Sequence, residues 1–220
     1  MKRVLLISGS PQAGPSEFYQ DLASRHDLII AVDSGADVCM QANIGLDVFI
    51  GDQDSVSNEG KAYALSNAKE VREYKRDKDF TDFELALDYI NELNRDSGEL
   101  FITITNIFGN RIDHMLAAYG ALFTNSHLDM AITEPNLDAW ILDAKQTNSL
   151  HLKDVKGETF SLISFTRKST VSLKGFKWDL KNKDLDKLSG KGVSNLITKK
   201  HAQIHIAKGK CLAILYNQLV

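Results

Sequence analysis

Leu28-Ile29-Ile30-Ala31-Val32-Asp33-Ser34-Gly35-Ala36-Asp37 decides the architecture of this chain. Five apolar residues with no polar alternation read as a strand buried on both faces. An acidic residue stands at its carboxyl end, and a helical period over residues 36–42 follows at once. The same unit recurs on either side. Residues 4–8, 48–50, 100–105 and 130–133 are further apolar runs, and 61–67, 83–94 and 115–123 carry helical period. Residues 70–74 add a weaker strand-like run. Alternation of this kind predicts an α/β domain with a doubly wound, mostly parallel sheet.

The pattern changes near Ala139. From there no helix is expected, and short strand-like runs follow one another at 140–142, 149–152, 159–165, 170–173, 193–197, 203–206 and 211–216. Gly175, Gly190, Gly192 and Gly209 punctuate them, with Asn182 and Asp184 expected in a polar turn. This spacing predicts an all-β sandwich or barrel. Two domains are therefore expected, 1–135 and 138–220, joined near residues 134–137 where Pro135 and Asn136 suit a turn.

At 220 residues the chain is long enough for two cores. A formal charge of -3 gives no basis for a polyanion-binding surface, so nucleic acid is not an expected partner. Cys39 and Cys211 match no zinc or redox spacing, which suits a reduced, cytoplasmic setting. The apolar run after Met1-Lys2-Arg3 is too short for a leader and reads as the first buried strand. No stretch approaches the roughly 20 apolar residues of a membrane span.

Ligands of open α/β sheets bind beyond the carboxyl ends of the strands. Three acidic features fall there: Asp33; Asp52 and Asp54 in Gly51-Asp52-Gln53-Asp54-Ser55; and Asp79 and Asp82 in Lys78-Asp79-Phe80-Thr81-Asp82-Phe83-Glu84. Carboxylates packed so closely repel unless a cation or proton intervenes, and a divalent metal carrying a phosphorylated substrate satisfies both clusters. Each has a plainer reading. Asp33-Ser34 suits a helix cap, and Asp52 and Asp54 suit a turn beside Gly51. Thr81 and Glu84 form a capping-box pattern ahead of the apolar stripe Phe83, Leu87 and Ile90. Capping and phosphate binding are compatible, because a helix N-terminus presents both N–H groups and positive dipole.

A further motif is Gly109-Asn110-Arg111-Ile112-Asp113-His114. Arg111 offers a forked cation for phosphate oxygens, and Asp113 can orient Arg111 or His114 or cap the next helix. Ser8-Gly9-Ser10-Pro11-Gln12-Ala13-Gly14 lacks the Gly-Lys-Ser/Thr ending of a Walker loop, and there is no Gly-x-Gly-x-x-Gly turn. The run Lys75-Arg76-Asp77-Lys78 reads as a solvated loop that brings Lys78 beside Asp79.

Taken in order, these motifs resemble the thiamine pyrophosphokinase family. Asp33-Ser34-Gly35-Ala36, Gly51–Ser55 as quoted, and Lys-Asp-x-Thr-Asp-x-Glu-x-Ala-Leu over residues 78–87 follow its pattern. So does 109–114, except that Asn110 replaces the family's second glycine; Asn is the non-glycine residue that best tolerates positive φ. Gly175-Phe176-Lys177-Trp178-Asp179-Leu180 and Gly192-Val193-Ser194-Asn195 resemble its thiamine-binding β-domain. The resemblance implies transfer of diphosphate from ATP to the hydroxyethyl oxygen of thiamine, giving thiamine diphosphate and AMP. It implies Mg²⁺ held by Asp52, Asp54, Asp79 and Asp82, with Asp54 and Arg111 also serving catalysis. Asp82 would accept the hydroxyl proton, with a metal-bound or substrate-assisted route equally open. Asp33, Ser55, Lys78, Thr81, Arg111, Asp113 and His114 would lie along the ATP phosphates. Trp178 would stack on thiamine, with Ser194 and Asn195 bonding its aminopyrimidine edge. A homodimer with the active site between subunits is implied on the same ground. The α/β motifs alone would permit another acceptor, such as a hydroxymethylpterin; the β-domain motifs argue against it.

Overall fold

A computed structural model of the chain describes residues 1–11, 13–51, 55–74, 80–109 and 111–217. It divides into two compact units, Met1–Met130 and Ala131–Val220.

The first unit alternates β1 (Lys2–Ile7), α1 (Ser16–Ser24), β2 (Leu28–Val32), α2 (Gly35–Gln41), β3 (Val48–Gly51), α3 (Asn58–Asn67), β4 (Glu70–Glu73), α4 (Asp82–Ser97), β5 (Leu100–Thr105) and α5 (Ile112–Thr124). Its strands lie in the order β5-β1-β2-β3-β4, and the pairs β1/β5, β1/β2, β2/β3 and β3/β4 are all parallel. Leu5, Ile7, Ala31 and Phe49 share a core with Tyr19, Leu22, Val38 and Cys39 of α1 and α2. The alternate strand residues Leu6, Ile30 and Ile50 are also fully buried, and α4 packs along β2 and β3. Successive side chains of a strand point to opposite faces, so both faces of this sheet are covered. That explains the unbroken apolar runs read in the sequence.

α1 was absent from the sequence expectation. Phe18, Tyr19, Leu22 and Ala23 do fall at helical spacing, but they span little more than one turn among polar residues; the remaining signal is Pro15 just ahead and Glu17 in the first turn.

The second unit is antiparallel. β6 (Asp129–Glu134) turns through Pro135-Asn136 into β7 (Leu137–Asp143), and β8 (Ser149–Lys153), β9 (Thr159–Ser164), β10 (Lys168–Lys174), β11 (Leu180–Asp186), β12 (Asn195–Leu196), β13 (His201–Lys208) and β14 (Lys210–Tyr216) follow. One sheet runs β12-β9-β14-β7-β6 and the other β11-β10-β13-β8. Leu142, Phe160, Leu162 and Ala213 of the first share one core with Leu152, Val171, Leu173, Ile204 and Ile206 of the second. It is a β-sandwich. Asn182 and Asp184, expected in a turn, lie instead in β11. This edge strand keeps only Leu185 fully inside, and the Thr170 hydroxyl donates to Asp184 at 2.8 Å across the pair. Charged residues blunt an exposed edge, and they disguise it as a loop in the sequence. The strand expected over 193–197 shrinks to Asn195–Leu196, because the 3-10 turn Gly190–Gly192 and Ser194 at φ 58° break the extension.

Candidate functional site

The loops leaving β1, β2 and β5 converge at the carboxyl edge of the parallel sheet because small residues let their backbones touch. Gly35 abuts the carbonyl of Ile7, and a Cβ there would collide with it. Gly51 stands equally tight against the Asp33 carboxylate, so β3 ends flush against the β2 loop. Asp33 adopts φ 49°, a conformation few non-glycine residues hold. Its N–H donates to the Ile50 carbonyl at 3.0 Å, and its carbonyl accepts from Ala36 N–H at 3.0 Å. The Asp33-Ser34 cap reading is not what forms. Ser34 occupies the N-cap position of α2, but its hydroxyl donates to the Gly9 carbonyl at 3.0 Å and makes no cap. This pair joins the β1 and β2 loops.

The capping box is present. Glu84 N–H donates to the Thr81 hydroxyl at 3.2 Å, and Thr81 N–H donates to the Glu84 carboxylate at 2.8 Å. Asp82 therefore sits in a fixed first turn of α4, at the helix end that favours anions. Arg111 pairs with Asp113 through two bonds, Nε to Oδ1 at 3.0 Å and Nη2 to Oδ2 at 2.7 Å. That guanidinium holds the Asp113 carboxyl well below the usual carboxylate range, and Asp113 raises Arg111 in return. Of the three roles open to Asp113, orienting Arg111 is the main one, and its carboxylate also meets the backbone N–H groups of His114 and of Asp113 itself in the first turn of α5.

A cavity of about 300 Å³ opens at this edge. Asp33, Ser55, Thr81, Asp82, Arg111 and His114 all line it, six residues that the sequence pointed to from four separate segments. Ser8, Gly9, Ser10 and Pro11 form another wall, and Phe83, Ile107, Met115 and Ala118 contribute apolar surface. These the sequence did not single out as site residues, although the Ser8–Gly9 turn was visible as a glycine loop. Asp52, Asp54, Lys78, Asp79 and Asn110 lie outside the described residues. Among the described residues no three His, Cys, Asp or Glu side chains converge as a metal set.

In the second unit Trp178 is 56% exposed, and the Lys177 ammonium stands 4.7 Å from its ring centroid. At that exposure the ring is not part of the core. Asn195 is buried and clamps the Trp178 backbone: its amide donates to the Trp178 carbonyl at 2.9 Å and accepts Trp178 N–H at 3.2 Å. Ser194 is exposed, with its N–H held by the Ser161 hydroxyl at 3.1 Å. So Trp178 and Ser194 present free faces, while the Asn195 amide is engaged within the chain.

Residues 19–133 match the family model "Thiamin pyrophosphokinase, catalytic domain", and residues 147–211 match "Thiamin pyrophosphokinase, vitamin B1 binding domain". The thiamine pyrophosphokinase of Bacillus subtilis is 27% identical over 227 residues, covering 97% of this chain and 98% of that one. The crystal structure of the Bacillus subtilis thiamine pyrophosphokinase superposes with a TM-score of 0.82 at 24% identity, covering 99% of this chain and 100% of the other. The structure from Candida albicans gives a TM-score of 0.82 at 15% identity, covering 99% and 89%. At these identities the two structures establish a shared fold.

Proposed function

Because the chain belongs to the thiamine pyrophosphokinase family, we propose that the cavity at its strand ends binds the ATP polyphosphate and that Trp178 carries thiamine. The enzyme is an ATP-dependent thiamine diphosphokinase. In the reaction the thiamine hydroxyl oxygen bonds to the β-phosphorus. The bond from that phosphorus to the α,β-bridging oxygen breaks, AMP leaves with its electron pair, and the hydroxyl proton passes to a base. Little covalent chemistry falls to the protein, so positioning and charge neutralisation dominate.

The observation that carries the site assignment is the meeting of Asp33, Thr81, Asp82 and Arg111 around one cavity. The α4 N-terminus and the Arg111 fork would hold phosphate oxygens, with Ser55 and His114 alongside and Asp113 orienting Arg111. Asp82 is the base we assign for the hydroxyl proton. Among the described residues the cavity lining offers the carboxylates of Asp33 and Asp82, serine and threonine hydroxyls and the His114 imidazole, and no cysteine; its hard oxygen donors suit Mg²⁺. Asp82 would hold the ion together with Asp52, Asp54 and Asp79, and Lys78 would neutralise phosphate beside them. When bound, Mg²⁺ offsets polyphosphate charge. Trp178 would stack on the cationic rings of thiamine, Ser194 would meet its aminopyrimidine edge, and Asn195 would act by holding Trp178.

We also propose a homodimer, the β-sandwich of one subunit facing the α/β unit of its partner. Helix α5 supports this by exposing Ile112 (65%) and Leu116 (59%) one turn apart. Charge supports it too: residues 1–130 carry 11 Lys/Arg against 21 Asp/Glu, and residues 131–220 carry 15 against 8. Opposite fields favour that pairing. No described helix is long and apolar enough to cross a membrane, and the free buried thiols Cys39 and Cys211 suit the cytoplasm. The test of function is a product assay with ATP and thiamine. AMP and thiamine diphosphate should form in equal amounts and cease with EDTA; ADP with thiamine monophosphate would overturn the assignment.

A further inference from the structure

The loop after β1 walls the cavity, yet none of the roles above belongs to it. Ser34 ties it to the β2 loop at Gly9, and the most extensive set of bonds to it centres on one further side chain. Asn106 follows β5 directly, is 1% exposed and adopts φ 57°. Its amide nitrogen donates to the Ser8 carbonyl at 2.8 Å and to the Ser10 carbonyl at 2.9 Å. Its own carbonyl accepts Ser10 N–H at 3.1 Å. The buried Tyr19 hydroxyl donates to the Asn106 side-chain oxygen at 3.2 Å and accepts Gly14 N–H at 2.8 Å. The Ser10 hydroxyl closes the set on the Phe108 carbonyl. Both ends of the β1–α1 connection are thus tied to Asn106, directly at Ser8 and Ser10 and through Tyr19 at Gly14.

The position of this knot matters. From β1 the chain winds outward through β2, β3 and β4, then crosses back to place β5 on the other side of β1. Between β1 and β5 lies the point where the winding reverses, and open α/β sheets bind ligands in the crevice there. Asn106 bridges the two loops that flank it. The residue type is also demanding: it must tolerate positive φ, donate twice and accept once within a buried site. Asp tolerates the backbone but donates nothing, and Gly has no amide.

We infer that Asn106 is a positioning residue for the nucleotide, fixing residues 8–11 as the main-chain wall against which ATP lies. This rests on the reading of the cavity as the ATP site. Loss of the clamp leaves the fold and the thiamine surface in place but lets the wall move, so the penalty falls on nucleotide binding. Three variants test it: Asn106→Asp, which removes both donors at constant shape; Asn106→Gly, which keeps the backbone and removes the amide; and Tyr19→Phe, which cuts the link to Gly14. Each should raise KM for ATP, roughly tenfold for the Asn106 variants and less for Tyr19→Phe, while KM for thiamine stays within about twofold. Direct titration with a non-hydrolysable ATP analogue should show the same loss. Active wild type with folded Asn106→Gly or Tyr19→Phe at unchanged KM for ATP overturns the inference, as does a parallel rise in both KM values. Wild type that makes no AMP overturns the underlying ATP reading instead.

Discussion

Trp178 is held where its indole does little for the fold. Its ring is more than half exposed, and its backbone is pinned on both polar atoms by Asn195. Trp178→Ala should leave the melting temperature unchanged and raise KM for thiamine roughly tenfold, the scale of a desolvated cation–π stack. Steady-state kinetics with thiamine varied checks this, and an unchanged KM would return Trp178 to a purely structural role. The same neighbourhood shows what residue types alone convey. Asn195, expected to meet substrate, also bonds the backbone beside the ring, because a buried amide takes the nearest unsatisfied N–H and C=O groups. Asn106 was not singled out at all. Its importance lies in partners almost a hundred residues away, such as Ser8 and Ser10, which no local pattern announces.

Helix α4 shows the opposite case. Thr81, Glu84 and the stripe Phe83, Leu87 and Ile90 announce both its start and its buried side, and both are found, with Leu87 and Ile90 fully buried. Thr81→Ala removes the hydroxyl that caps Glu84 N–H and leaves the returning carboxylate with the backbone N–H alone. It should cost about 1 kcal/mol of stability and lower turnover, since Asp82 rides on the same turn. Urea unfolding measures the first effect, and Thr81→Ser should restore it; an unmoved midpoint would mean that packing alone starts the helix. Legibility varied among the elements for physical reasons. Strands buried on both faces, such as β2 and β5, were read to their ends. Helix α1 and strand β11 were not, one because its apolar period spans little more than a single turn and the other because its polar edge is written in the residues of a turn.

At the scale of the whole molecule, the proposed function gives polyphosphate to the acidic α/β unit and the acceptor to the basic β-sandwich. A homodimer with shared sites makes a distinctive forecast. Asp82→Asn and Trp178→Ala damage opposite halves of the site, so mixing the two inactive or weakened proteins after dissociation should recover about one quarter of wild-type activity, from hybrid dimers with one intact site. No recovery on mixing would place each site within a single chain. The central claim concerns which phosphorus is attacked. Supplying ATP labelled with ³²P at the β-position and separating the products tests it most directly. Attack at the β-phosphorus carries the label into thiamine diphosphate and leaves AMP unlabelled; label retained in ADP would contradict the account.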